Sequence, residues 1–147
     1  MKILVMGLPG SGKTTLALAL ARELQCVHFN ADEIRKEINK DLSFSVADRI
    51  EQARRMGVLC DIASRHGAHV IADFVCPTPE ARESFGHAFI VWVDRIKEGR
   101  YEDTNKLFVP PEKYDFRVNG ALGGMQYYAE EIAQLIQPKP KRLYAVG

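Results

Sequence analysis

The chain has 147 residues, enough to bury one core and too few for two, and 46% hydrophobic with 27% charged residues exclude a disordered or fibrous protein. A formal net charge of +1 argues against a broad surface for duplex DNA, and three scattered cysteines without a C-x-x-C pair argue against a zinc site or redox dithiol. The first apolar run is too short for a signal peptide and no stretch reaches membrane-spanning length, so we expect a cytoplasmic protein without membrane contact.

Short apolar runs alternate with longer helical patterns along the chain, which predicts an α/β fold with a parallel sheet. The expected strands are residues 2–6, 26–29, 68–72, 88–93 and 114–118. The expected helices lie near residues 13–25, 31–40, 46–66, 79–85 and 124–136, with Ser45 as the N-cap of the third. We therefore predict a three-layer α/β/α sandwich around five parallel strands, with ligands at the carboxyl ends of the strands.

A glycine-rich pattern, G-x-x-x-x-G-K-[ST], follows the first strand and opens the first helix. Its glycines let backbone N–H groups wrap a phosphate, Lys13 brings a charge to the β- and γ-phosphates, and Thr14 offers its hydroxyl to Mg²⁺. The pattern predicts a P-loop NTPase fold of the nucleotide-kinase type that binds ATP. The expected phosphate-binding residues are Gly7, Pro9, Gly10, Ser11, Gly12, Lys13, Thr14 and Thr15.

A polar stripe follows the second strand, where Asp32, Arg35 and Asn39 are spaced i, i+3, i+7. That spacing places them on one face of a helix, with Ile34 and Ile38 pointing the other way. An aspartate there can orient or deprotonate an attacking hydroxyl, and an arginine can hold an anion through two hydrogen bonds. The alternative is a solvated helix face on which Asp32 is an N-terminal carboxylate.

Asp73 is a second acidic candidate, at the end of the third predicted strand. If that strand lies beside the P-loop strand, Asp73 is positioned to hold Mg²⁺ through water. The alternative is a strand-end cap for the helix that follows Pro77.

The order of motifs over residues 1–93 resembles the adenylylsulfate kinases, which phosphorylate the 3′-hydroxyl of adenosine 5′-phosphosulfate with MgATP. The family's G-L-x-G-S-G-K-[ST] is matched by residues 7–14, D-G-D-N-x-R in part by 30–35, N-x-D-L-G-F-S by 39–45, D-R-x-E-N-x-R-R by 48–55, and A-F-I-S-P by 73–77. Two departures stand out, since Gln52 replaces an asparagine and Asp73 stands where the family usually has a small residue.

The resemblance implies roles for individual residues of the acceptor site. Lys13 and Asp32 become the catalytic pair, with Asp32 near the acceptor hydroxyl, while Arg35 and Arg49 grip the phosphosulfate. Phe44 and Phe74 shape the adenine pocket; a flat ring stacks on a base, although a lone phenylalanine is more often part of the core. The expected substrate-binding residues are Arg35, Asn39, Phe44, Arg49, Gln52, Phe74 and Tyr101.

The long lid of the family is largely missing after the fourth strand. We expect one domain over residues 1–137, in which residues 95–112 form a short lid and the loop to the last strand, and a basic tail over 138–147. Arg95, Lys97 and Arg100 could cover the transferred phosphate, and Tyr101 could replace a stacking lid phenylalanine. The alternative is a solvated basic loop.

Other functions fit some of the same motifs. Residues 9–14, 32–35 and 73–82 also resemble a polynucleotide 5′-hydroxyl kinase, so a nucleic-acid end is the alternative acceptor, and a kinase of a modified nucleoside or base would look similar. A non-catalytic nucleotide-binding module would need only the P-loop. We predict a kinase of a small nucleotide-like molecule that uses ATP and Mg²⁺, with a homodimer as an open alternative to a monomer.

Overall fold

The structure is a computed structural model that describes residues 1–120 and 124–138. The predicted basic tail lies outside the described residues, except for Pro138. None of the helices in the described part of the chain is long and apolar enough to cross a membrane.

Within these residues the sheet has five strands, and all neighbouring strands run parallel. The strands are β1 (Lys2–Met6), β2 (Val27–Asn30), β3 (Val70–Phe74), β4 (Phe89–Val93) and β5 (Phe116–Val118). Their order across the sheet is β2-β3-β1-β4-β5, which puts β1 in the centre. The predicted five-stranded parallel sheet is therefore confirmed.

Helices cover both faces of this sheet. They are α1 (Lys13–Leu24), α2 (Ala31–Glu37), α3 (Val46–Arg65), α4 (Pro79–Phe85), α5 (Glu102–Leu107) and α6 (Met125–Ile136). One core cluster joins α1 and α6 to alternate residues of the strands, such as Val5 and Ile71. The other joins α2, α3 and α4 to the opposite face, through residues such as Leu4 and Met56. The three-layer α/β/α sandwich is confirmed.

The third strand begins and ends two residues later than its predicted bounds. Asp73 therefore lies within β3 rather than after it, and it pairs in register with Val5 of β1. Because side chains alternate along a strand, Asp73 faces the same side of the sheet as Ile71, toward α1. The cap of α4 is Thr78, whose hydroxyl accepts from the N–H of Ala81, so Asp73 is not the cap.

The second helix is shorter than predicted, because it ends at Glu37. The prediction that Asn39 continues the polar stripe of this helix is wrong. The N–H groups of Ile38 and Asn39 both donate to the carbonyl of Ile34, which closes the helix, and Asn39 turns into the interior. Ile38 is 61% exposed rather than packed opposite the stripe. Only Asp32 and Arg35 remain on the predicted helical face.

The segment predicted as a short lid and a loop contains a short helix, α5, that was not predicted from the sequence. Its far end is fixed to the rest of the fold, since the N–H of Val109 donates to the carbonyl of Pro77 at 2.8 Å. Thr104 is buried, so α5 lies against the body of the protein rather than in solvent.

Candidate active site

The glycine-rich loop connects β1 to the first turn of α1. Gly10 and Gly12 have φ values of 84° and 98°, a conformation that other residues rarely adopt. Gly12 is the N-cap of α1 and makes no side-chain cap bond, which leaves the first N–H groups of the helix available for an anion. The loop therefore has the backbone geometry that a phosphate cradle requires.

A cavity of about 690 Å³ lies at the carboxyl edge of the sheet, between this loop and α5. The predicted site residues that line it are Pro9, Gly10, Gly12, Lys13, Thr14, Thr15, Asp32, Arg35, Phe44, Arg49, Gln52, Asp73, Phe74, Arg100 and Tyr101. Gly7, Ser11, Asn39, Arg95 and Lys97 do not line it. The fold thus brings most of the residues selected from the sequence into one space.

Lys13 lies among charged groups at the floor of this cavity. Burial lowers the pKa of its ammonium group, and the carboxylates of Asp73 and Asp32 partly oppose that effect, while Arg100 adds to it. The neighbouring carboxylates do not fully offset the cost of burying the Lys13 ammonium group, so an anionic ligand beside it would be stabilising. The phosphates of a nucleotide would supply the missing charge.

Asp73 is the most buried carboxylate of the site, since its side chain is 0% exposed. Its Oδ1 accepts from the Thr14 hydroxyl at 3.0 Å, and its Oδ2 accepts from Asn30 Nδ2 at 3.0 Å. His28 Nε2 lies 2.5 Å from the same Oδ2. Four polar residues from α1, β2 and β3 therefore meet at one point beside the P-loop.

Two arginines flank an exposed aromatic ring on the opposite side of the cavity. The guanidinium carbon of Arg35 lies 4.4 Å from the centre of the Phe44 ring, and that of Arg49 lies 5.5 Å from it. Arg35 donates to the carbonyl of Ser43, and Arg49 donates to the carbonyl of Phe44. Burial, with a smaller contribution from Arg49, lowers the pKa of Arg35. Two neighbouring cations around a ring form a surface that favours a flat anion.

Gln52 and Asn39, both predicted to bind substrate, form a hydrogen bond to each other. Asn39 Nδ2 donates to Gln52 Oε1 at 2.8 Å, and Gln52 Nε2 donates to the carbonyl of Ala31 at 3.3 Å. Both side chains are buried, and only Gln52 lines the cavity. This pair fixes the start of α2, and so fixes Asp32, which follows Ala31 directly.

Phe74 is 8% exposed and packs against Phe85 with ring centres 5.6 Å apart. It is mainly a core residue that reaches the cavity wall.

The lid segment is packed onto the P-loop. A Cβ at Gly99 would lie 3.0 Å from Pro9 Cδ, and Asn105 holds Gly99 in place by accepting from its N–H and donating to its carbonyl, at 2.7 and 3.1 Å. Arg100 Nε lies 3.9 Å from the point where a Cβ at Gly10 would be. Arg95 Nη1 lies 3.9 Å from the point where a Cβ at Gly12 would be, but Arg95 does not line the cavity. Lys97 is exposed.

The predicted lid segment also contacts a residue predicted to bind the acceptor. Arg49 Nη2 donates to the hydroxyl of Thr104 at 3.2 Å and lies 3.6 Å from the carboxylate of Asp103. Asp103 and Thr104 were not predicted as site residues, because nothing local in the sequence indicates where this segment folds back. Asn30 and His28 were not predicted either, although the alternation of side chains along β2 places them on the face of α1.

The sequence model of the adenylylsulphate kinases matches residues 1–94, about two thirds of the chain. The chain belongs to the adenylylsulphate kinase family. The match includes the P-loop, Asp32, the two arginines and Asp73, and it ends where the lid begins.

Curated proteins that are similar to this chain carry the name of the same family. The chain is 36% identical over 97 residues to an adenylyl-sulfate kinase of Synechococcus sp. (strain JA-3-3Ab), which covers 60% of this chain and 55% of the relative. It is 44% identical over 82 residues to the adenylyl-sulfate kinase of Bacillus velezensis, with 52% and 42% coverage. The chain thus spans about half the length of the curated relatives that it matches.

Solved structures match this chain over a larger share of their own length than the curated relatives do. The APS kinase of Mycobacterium tuberculosis, in complex with AMPPNP and APS, has a TM-score of 0.75 at 22% identity and covers 92% of this chain and 96% of its own. Shikimate kinase from Acinetobacter baumannii has a TM-score of 0.58 at 20% identity, with 92% coverage of this chain. At these identities the likeness supports the P-loop kinase fold of this family member.

Proposed function

We propose that the chain is an ATP-dependent kinase that transfers the γ-phosphate of MgATP to the 3′-hydroxyl of adenosine 5′-phosphosulfate. One observation carries this proposal. A single cavity is lined by Lys13 and Thr14 of the P-loop and, opposite them, by Asp32, Arg35 and Arg49. A protein that only bound a nucleotide would not need this second polar set.

The P-loop residues bind the triphosphate in this proposal. Lys13 and the N–H groups at the start of α1 hold the β- and γ-phosphates. The described residues contain no group of three or more His, Cys, Asp and Glu side chains suited to a metal. The oxygen donors of Thr14 and Asp73 nevertheless fit Mg²⁺, because this ion is commonly held by one or two protein oxygens together with substrate phosphates and water. When bound, Mg²⁺ supplies positive charge that offsets the charge of the phosphates.

The acceptor occupies the opposite wall. Arg35 and Arg49 bind the phosphosulfate, and the exposed ring of Phe44 stacks on the adenine with help from Tyr101 at the rim. Asp32 is exposed to the cavity and accepts a hydrogen bond from the 3′-hydroxyl, which aims its oxygen at the γ-phosphate.

The transfer needs little covalent chemistry from the protein. The acceptor oxygen forms a bond to the γ-phosphorus as the bond to the β–γ bridging oxygen breaks, and ADP leaves. The proton of the hydroxyl passes to the Asp32 carboxylate. Arg100, which lies beside Gly10, stabilises the charge on the phosphoryl group in transit.

The family match favours a small nucleotide acceptor, and no contact among residues 1–120 and 124–138 favours a nucleic-acid end. Self-association into a homodimer stays a prediction from the sequence.

Two substitutions test the proposed roles. We expect Lys13→Ala to abolish adenosine 5′-phosphosulfate-dependent ADP release, because it removes the main cation of the phosphate cradle. We expect Asp32→Asn to keep ATP binding but to lower kcat by about 10²–10⁴-fold, the usual contribution of a general base. Glu37→Gln is the matched control, since it removes an exposed carboxylate of the same helix outside the cavity.

Acceptor identity is tested in the same assay by comparing adenosine 5′-phosphosulfate with a 5′-hydroxyl oligonucleotide. Faster ADP release with the oligonucleotide would contradict the proposed acceptor. Full turnover by Asp32→Asn would remove Asp32 from its role while leaving the kinase assignment intact.

A further inference from the structure

A histidine that lies outside the cavity lining is joined to the proposed metal-binding oxygens. The His28 side chain is 11% exposed, and its Nε2 lies 2.5 Å from Asp73 Oδ2. His28 belongs to β2, the edge strand next to β3, and its register partner is Ile71. The side chains of His28 and Asp73 therefore point to the same face of the sheet, where α1 begins.

The carboxylate of Asp73 is held by donors on both oxygens. Oδ1 accepts from Thr14, whereas Oδ2 accepts from Asn30 and from the His28 ring. A carboxylate oxygen can only accept, so the ring nitrogen is the donor in this bond. With Oδ2 engaged by two donors, the carboxylate cannot rotate without losing both, and Oδ1 stays directed at Thr14.

This arrangement also orients the Thr14 hydroxyl. A hydroxyl has one proton and two lone pairs, and the Thr14 hydroxyl donates its hydrogen bond to Asp73. One lone pair accepts from Asn30 Nδ2 at 3.4 Å, which leaves the other for a cation beside the phosphates. Because the position of the Asp73 carboxylate is fixed, the Thr14 hydroxyl is held in an orientation in which its oxygen can act as a metal ligand.

We propose that His28 is a positioning residue for the magnesium site of MgATP, acting through Asp73 on Thr14. The inference rests on the proposed binding of MgATP by the P-loop, and it does not depend on which acceptor is phosphorylated. Outer partners of metal ligands commonly change metal affinity by about 10–100-fold when they are removed.

The test is a Mg²⁺ titration of the binding of a fluorescent ATP analogue to the full chain, without any acceptor. We expect His28→Leu to weaken the apparent Mg²⁺ affinity by about 10–100-fold, while the affinity for the analogue without Mg²⁺ changes much less. We expect His28→Gln to stay close to the wild type, because the glutamine amide nitrogen can reach the position of Nε2 and donate the same bond. The matched control is His87→Gln, which alters an exposed histidine in the turn just before β4.

His28→Asn provides a second loss variant if His28→Leu does not fold, since the shorter amide cannot reach Asp73. An unchanged Mg²⁺ dependence in the folded loss variant would overturn the inference and leave His28 a structural residue. Equal weakening with and without Mg²⁺ would overturn it as well.

The same titration separates this inference from the proposed function. Normal Mg²⁺ behaviour with no acceptor phosphorylated would contradict the proposed acceptor and leave His28 in its role. Failure of the wild type to bind the ATP analogue would overturn both.

Discussion

Asp103 places a negative charge where the proposed acceptor anion binds. Its carboxylate lies 3.6 Å from Arg49 Nη2 and is 73% exposed, so it lies at the mouth of the cavity on α5. Two unit charges at 3.6 Å attract by about 1 kcal/mol in water, and exposed ion pairs are typically measured at about 0.2–1 kcal/mol. An anion that binds Arg49 must break the ion pair between Arg49 and Asp103, and the bound anion then lies close to the negative Asp103 carboxylate.

We therefore expect Asp103→Asn to lower the KM for adenosine 5′-phosphosulfate by up to about fivefold, the equivalent of about 1 kcal/mol. The kcat should change little, because Asp103 is not expected to contact the reacting oxygen. Steady-state ADP release at varied acceptor gives both constants, and direct calorimetric titration with the acceptor checks the KM change as an affinity change. The gain should shrink as ionic strength rises, because exposed charges are screened.

The matched control for this prediction is Glu102→Gln. Glu102 is the neighbouring acid of α5, is 83% exposed, pairs with Lys106 at 3.5 Å and does not line the cavity. An equal fall in KM for both variants would assign the effect to net charge rather than to position. A rise in KM for Asp103→Asn would refute the reasoning, because it would mean that the pair with Arg49 prepares the site instead of competing for it.

Two further predictions concern stability. Gly57 of α3 lies against the end of α4, where an added Cβ would come within 3.0 Å of the Phe85 carbonyl carbon. In a helix, alanine is normally more stabilising than glycine by about 1 kcal/mol. Here we expect the opposite, because the added Cβ clashes, and Gly57→Ala should lower the free energy of unfolding by about 1–3 kcal/mol. A variant that is more stable in urea denaturation would contradict this prediction. Burial raises the pKa of Cys26 to about 11 and the pKa of Cys60 and Cys76 to about 12, from an ordinary 9.0. The folded thiols keep protons that the unfolded ones lose, so the stability present below pH 9.0 is lost as the pH rises toward 12. Urea denaturation at about pH 8 and about pH 10 measures that loss. Cys60→Ala should reduce it, and a free energy of unfolding that does not change with pH would count against this account.

Local patterns in the sequence were enough for most of the secondary structure. The P-loop and α1 share one continuous segment, and the predicted cap Ser45 lies next to the helix that it begins. Its hydrogen bond joins residues three positions apart, which is why a pattern can reveal it. The same holds for Asp32 and Arg35, which share one helical face.

The errors arose where a distant contact decided a local conformation. Asn39 fits a helical spacing, but its buried bond to Gln52, 13 residues away, takes it out of the helix. The lid segment has no strong periodicity, and α5 forms where Thr104 is buried and bonded by Arg49, 55 residues away.

The sequence by itself determined the P-loop, the helical face shared by the aspartate and arginine of the proposed acceptor site, and a parallel sheet that brings both to one edge. Only the tertiary structure decided what completes the site. His28 meets Asp73 across 45 residues, and Arg49 meets α5 across a longer interval, because neighbouring strands and packed helices join segments that no periodicity relates. The P-loop conformation is a property of one short segment, whereas the geometry around the proposed metal-binding and acceptor residues is a property of the whole fold.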